Sequence, residues 1–118
     1  MASEIRYCPD NRIIYVTHRG QVDHDDRMRL KTFIEQLGVG NKRMLVDVRE
    51  VKSFVVSEEA QAFYRAIEDS GLYFRKIALV HDPRFNPYVV MASAGVIEGF
   101  NIEDFTTIEA AERWLLSR

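Results

Sequence analysis

Two short apolar runs, Met44-Leu45-Val46-Asp47-Val48 and Ile77-Ala78-Leu79-Val80, each follow a segment whose apolar residues recur every three or four positions. No other feature narrows the fold as far. A run of aliphatic residues with almost no polar alternation is the pattern of a strand covered on both faces. Such strands belong to parallel sheets, whose crossovers are helices. The intervening segments fit that requirement. Leu30, Phe33, Ile34 and Leu37 fall at i, i+3, i+4 and i+7, and Ala60, Phe63, Tyr64 and Ile67 repeat the spacing.

Boundary residues are consistent with these elements. Asp23 is the expected N-cap of the first helix, with Asp25 and Asp26 in the first turn, where carboxylates face the positive end of the helix dipole. Gly38 and Gly40 are expected to end it. Ser57 is expected to cap the second helix and Gly71 to stop it. Upstream, Glu4–Cys8 and Arg12–His18 flank Pro9-Asp10-Asn11, the composition of a tight hairpin turn. Downstream, Glu103 to Thr107 supplies a last short strand. Thr106 and Glu109 have capping-box spacing before a final helix that turns Ile108, Ala111, Trp114 and Leu115 inward.

The predicted order is ββαβαβαβα: an α/β domain with a mostly parallel five-stranded sheet, an antiparallel N-terminal edge strand and four helices. No repeat, linker or compositional break divides residues 1–118, a length that supports one core.

Composition then removes several function classes. Sixteen basic and 18 acidic side chains are interspersed and leave a formal charge of -2, so no field is available to hold a polyanion, and nucleic-acid binding is not expected. Cys8 is the only cysteine, which excludes an internal disulfide and a cysteine-based zinc site. The N-terminus lacks the basic-then-apolar order of a signal peptide, and no apolar run is long enough to span a bilayer. A cytoplasmic protein without membrane insertion is expected. The loop His81-Asp82-Pro83-Arg84-Phe85-Asn86-Pro87 contains no glycine, so it cannot cradle phosphates as a glycine-rich loop does, and there is no Gly-x-Ser-x-Gly elbow. No cofactor, metal or catalytic residue is assigned.

Ligands of open α/β sheets bind at the C-terminal edge of the strands. His18, Asp23, His24, Arg49, His81, Asp82, Arg84, Phe85 and Tyr88 are the candidates for that edge. Convergence of the three histidines would make a metal site, although no His-x-His spacing supports one. Asp47, inside an apolar strand, is expected to accept hydrogen bonds from the segment that follows it. The aromatic residues, Tyr64, Tyr73, Phe74, Phe100, Phe105 and Trp114 among them, are mostly at core spacing. The helix expected to begin with Pro87 in its first turn is apolar almost all round. Val89, Val90, Ala94 and Ile97 are its candidate self-association face.

The Leu45-Val46-Asp47-Val48 strand, the Ile77-Ala78-Leu79-Val80-His81 strand and the closing Thr107-Ile108-Glu109-Ala110-Ala111-Glu112-Arg113-Trp114-Leu115 together resemble the SpoIIAA-like relatives of STAS domains. The resemblance covers nearly the whole chain. It implies the same fold and a role as an interaction module. Among such domains the anti-sigma factor antagonists are switched by phosphorylation of a serine at the start of the helix after the Asp-bearing strand. The Asp-Ser pair of those proteins would fall at Val55-Val56 and is absent, while Ser57 stands one place later as a candidate phosphosite. The expectation is a non-enzymatic homodimeric binding or regulatory module for a protein partner or small ligand. Its rival is a small metal-dependent or hydrolytic enzyme using the polar strand ends.

Overall fold

The structure, a computed structural model, describes residues 3–37, 42–69 and 74–117. Gly38, Gly40, Gly71 and Tyr73 lie outside them. The chain opens with a hairpin in which β1 (Ser3–Cys8) pairs antiparallel with β2 (Ile13–Gly20), Ser3 opposite His18 and Cys8 opposite Ile13. Arg12, expected to begin the second strand, belongs to the turn instead. Its φ is 59°, its N–H donates to the Cys8 carbonyl at 2.8 Å, and the Asn11 side chain accepts from the Ile13 N–H at 3.0 Å.

Strands β3 (Lys42–Val51), β4 (Phe74–Val80) and β5 (Ile102–Phe105) follow in parallel, and the order across the sheet is the order along the chain. The five-stranded, mostly parallel sheet with an antiparallel first strand matches the expected architecture. Because each new strand adds on the same side of the last, crossovers of one hand place their helices on one face. Helices α1 (His24–Leu37), α2 (Ser57–Asp69) and α3 (Val89–Ile97) share a face and cover Ile14, Val16, Met44, Val46, Val48, Ile77 and Leu79. The residues between them in sequence point the other way, as the two-residue period of a strand requires. Ile13, Leu45, Ala78 and Val80 pack under Ala111 and Leu115 of α4 (Ile108–Leu116).

The helix ends show which polar residues are already occupied. Asp23 caps α1 as expected. Its Oδ1 accepts from the Asp26 N–H at 2.9 Å, while Asp26 Oδ2 accepts from the Asp23 N–H at 3.0 Å. This is the reciprocal geometry of a capping box, with Asp26 in the place of the usual Glu. At α2 the expectation fails by one residue. The Val56 carbonyl accepts the first helical bond, from Ala60, so Ser57 is already inside the helix, and its hydroxyl accepts from the Gln61 side chain at 3.3 Å. At α4 the cap is Thr107, which accepts from the Ala110 N–H at 3.2 Å, and not Thr106. Pro87 precedes α3 rather than opening it, because Tyr88 is the N-cap. The C-terminal end of α4 is closed by Lys76. Its ammonium donates to the Trp114 carbonyl at 2.6 Å and to the Ser117 carbonyl at 2.9 Å, supplying donors to carbonyls that lack helical partners.

Candidate functional site

Strands β2, β3 and β4 bring their C-terminal ends together, but the polar residues expected there divide into separate groups. Arg49, Asp82, Arg84 and Phe85 line an open groove of about 380 Å³ with Glu50, Val51 and Lys52. Within it the carboxylates are already bound. Asp82 accepts from the Arg84 N–H at 2.8 Å and from its guanidinium at 3.2 Å, which holds the Asp82 carboxyl below its ordinary range. Asp47 of β3 is likewise paired with an arginine two residues on. It accepts from the Arg49 N–H at 3.1 Å and from both edges of the guanidinium at 3.0 and 2.8 Å. Two Asp-x-Arg segments at the ends of neighbouring strands thus form two matching clips. Asp47 meets its expectation as an acceptor, with a partner two residues on in the same strand.

The histidines do not converge. His24 is exposed as the first residue of α1. His81 contacts the Asp82 carbonyl through Nδ1 at 2.7 Å and Asp104 of β5 through Nε2 at 3.1 Å. His18 is buried beneath the helices where the β2–β3 register shifts, and its Nδ1 shares a 2.5 Å hydrogen bond with Ser3 Oγ. Among the described residues no three His, Cys, Asp or Glu side chains are placed to hold a metal ion.

His18 and Tyr88 belong instead to an internal cluster that the sequence reading did not anticipate. Its centre is Arg27, 1% exposed, on the inner stripe of α1 three residues before Leu30. Arg27 donates to the Val22 carbonyl through Nη1 at 3.3 Å and to Glu59 of α2 through Nη2 at 2.6 Å. The Tyr88 hydroxyl is also hydrogen-bonded to this guanidinium. Burial lowers the His18 pKa to about 4, with Arg27 adding to the effect and Asp26 opposing it. Burial also pushes the Tyr88 phenol up, against the pull of the neighbouring guanidinium. Asp26 stays below its ordinary range despite burial, through the Asp23 N–H and the Arg29 guanidinium. The sequence held a signal for this cluster. Arg27 continues the Leu30, Ile34 spacing, so an arginine occupies a position on an apolar stripe.

Helix α3 has a second apolar face, and one candidate on it is misplaced. Val89, Val90 and Ile97 are exposed, as is Val96, whereas Ala94 is 7% exposed and packs inward with Met91. With apolar residues on all sides, the sequence gives no moment to orient such a helix. Beside α3 the side chains of Phe54, 70% exposed, and Phe85 meet edge to face with ring centres 5.1 Å apart.

On the opposite face of the sheet, α4 leaves the β1–β2 half uncovered as a groove of about 590 Å³. Tyr15 and Glu112 in it are paired. The Tyr15 hydroxyl donates to Glu112 at 2.5 Å and accepts from Asn11 at 3.1 Å, and Arg6 stacks 4.1 Å over the Tyr15 ring.

This fold defines a small α/β domain with a sequentially ordered sheet, three crossover helices on one face and a closing helix on the other. A sequence model of the SpoIIAA-like family matches residues 13–116, and the chain belongs to that family. Among solved structures it is similar to an uncharacterised protein of the DUF3478 family with a SpoIIAA-like fold from Shewanella loihica PV-4. The two are 18% identical with a TM-score of 0.67, and the match covers 97% of this chain and 92% of that one. No curated protein matches the sequence.

Proposed function

We propose that this SpoIIAA-like protein is a cytoplasmic, non-enzymatic binding module that works as a homodimer through the outer face of α3. The observation that carries this reading is the set of large apolar side chains outside the core. Val89, Val96 and Ile97 fall at i, i+7 and i+8 on α3, Ile97 is 82% exposed, and Phe54, Val56 and Phe85 are further exposed apolar residues outside the helix. The domain does not need these residues for its own core, since Met91, Ala94 and Gly95 already seat the helix. Residues Val89–Ile97 include no charged side chain, so two copies can meet on this face without like-charge repulsion. The enzymatic alternative has less support, because the carboxylates at the strand ends are held by arginines and the histidines are dispersed. Ser57 is exposed at the start of α2, but Glu58 and Glu59 follow it and would oppose a phosphate there, so a phosphorylation switch is not part of this reading.

Sedimentation equilibrium of the wild-type protein beside a Val96→Ser, Ile97→Ser double variant tests the proposal. A dimer that the substitutions convert to a folded monomer is the expected result. A wild-type protein that stays monomeric at high concentration would remove self-association from the proposal.

A further inference from the structure

Arg49, Lys52 and Arg84 line the groove at the C-terminal ends of β3 and β4, and the carboxylates that share it are already held. Glu50 is bound by Arg19 at 3.2 Å and Asp82 by Arg84 at 3.2 Å. Asp47, the partner of Arg49, lines the groove on the opposite face of the sheet and not this one. In both Asp-x-Arg clips the carboxylate is the inner member. The Asp47 and Asp82 side chains are 14% and 35% exposed, against 44% and 89% for Arg49 and Arg84, so solvent meets the guanidinium first. Each guanidinium binds its aspartate through Nε and Nη2, and among the described residues neither Nη1 has a partner. Lys52 is exposed, and among the described residues its ammonium makes no ion pair.

The clips also fix where these donors stand. Arg84 is held by its own aspartate and by the turn in which the Phe85 N–H donates to the Asp82 carbonyl at 3.1 Å. Arg49 is held by both edges of its fork. An arginine ordered in this way loses little further freedom on binding, and its remaining N–H groups suit a carboxylate. One wall of the groove is apolar. Phe85 lines it, and the exposed Phe54 ring packs edge to face on Phe85.

We propose, on the reading of this domain as a binding module, that the groove takes an acidic segment of a partner protein. The partner's carboxylates meet the outward N–H groups of Arg49 and Arg84 and the Lys52 ammonium, and a neighbouring apolar side chain lies against Phe54 and Phe85. A basic segment would be repelled by the three cations. Nucleic acid would need a basic field that a chain of formal charge -2 does not supply. A volume of about 380 Å³ has room for a few side chains of one segment.

The probe is a blocked hexapeptide of alternating glutamate and leucine, titrated into isotope-labelled protein at constant ionic strength and followed by NMR, with the glutamine–leucine hexapeptide as the neutral control. The acidic peptide is expected to shift the Nε–H resonances of Arg49 and Arg84 and the Phe85 amide saturably, and the neutral one is not. Added salt should weaken the complex, as exposed charge contacts require. Lys52→Ala and Arg84→Ala alter exposed side chains, so the double variant should fold as the wild type does and bind about tenfold more weakly. The Val96→Ser, Ile97→Ser variant keeps the groove and should bind the peptide like the wild type, which separates a failure of self-association from a failure of this site. No saturable shift, equal shifts with the neutral peptide, shifts confined to residues outside the groove, or unchanged affinity in the Lys52→Ala, Arg84→Ala variant would each overturn the proposal.

Discussion

His18 lies against Arg27 and Tyr88 with its Nδ1 committed to Ser3, and the same burial that hides it makes its charged form unfavourable. In the folded protein its pKa is about 4, below the ordinary 6.5. The unfolded chain therefore binds a proton between these values that the folded chain refuses, and stability rises with pH across that window. Above pH 6.5 His18 contributes no pH dependence, and as pH falls from 6.5 through 4 the protein loses on the order of 3 kcal/mol. Asp26 and Asp82, whose folded pKa values are depressed, lose their contribution only below the ordinary carboxylate value of 3.8, outside this window. Urea unfolding from pH 7.5 to 4.5 should show the slope in the wild type and its absence in His18→Gln. A wild type as stable at pH 4.5 as at 7.5 would mean that His18 accepts a proton where it stands. In the sequence His18 read as the last residue of a strand and a candidate for the ligand edge, not as a buried side chain. The register shift next to it and the helices above it, which bury it, are tertiary facts.

Helix α3 is seated by its glycine as much as by its apolar residues. A methyl group at Gly95 would collide with Ile102 Cδ1 of β5 and come within 2.8 Å of the Tyr64 ring. The isoleucine end can move, but the tyrosine ring is itself packed against Phe63 and Phe100 and has little room to give. Gly95→Ala gains up to about 1 kcal/mol of helix propensity and loses about 1–3 kcal/mol to overpacking, so a net drop in melting temperature is expected. A variant as stable as the wild type would show that α3 shifts freely over β5. The apolar character of this helix was plain in the sequence, and its orientation was not. Ala94 and Ile97 are both apolar, but only the packing against Tyr64 and Ile102 shows that the first is inside and the second outside.

For the molecule as a whole, self-association through α3 ties stability to concentration. A partner that binds only the folded state raises the apparent stability by mass action. Raising the protein concentration about a hundredfold should raise the wild-type melting temperature by a few degrees and leave that of the Val96→Ser, Ile97→Ser variant unchanged. Equal behaviour of the two proteins would speak against the dimer. The sequence by itself determined the element order, the parallel sheet, the Asp23 cap and the SpoIIAA-like resemblance, because each rests on local periodicity or on hydrogen bonds that close within a few residues. Only the tertiary structure decided which strand-end residues share a site. It sent His81 to Asp104, and carried His18 and Tyr88 inward to meet Arg27. The physical reason is that side chains far apart in the chain meet only when crossovers and register set strand ends and helix faces against one another, and no local pattern records that placement.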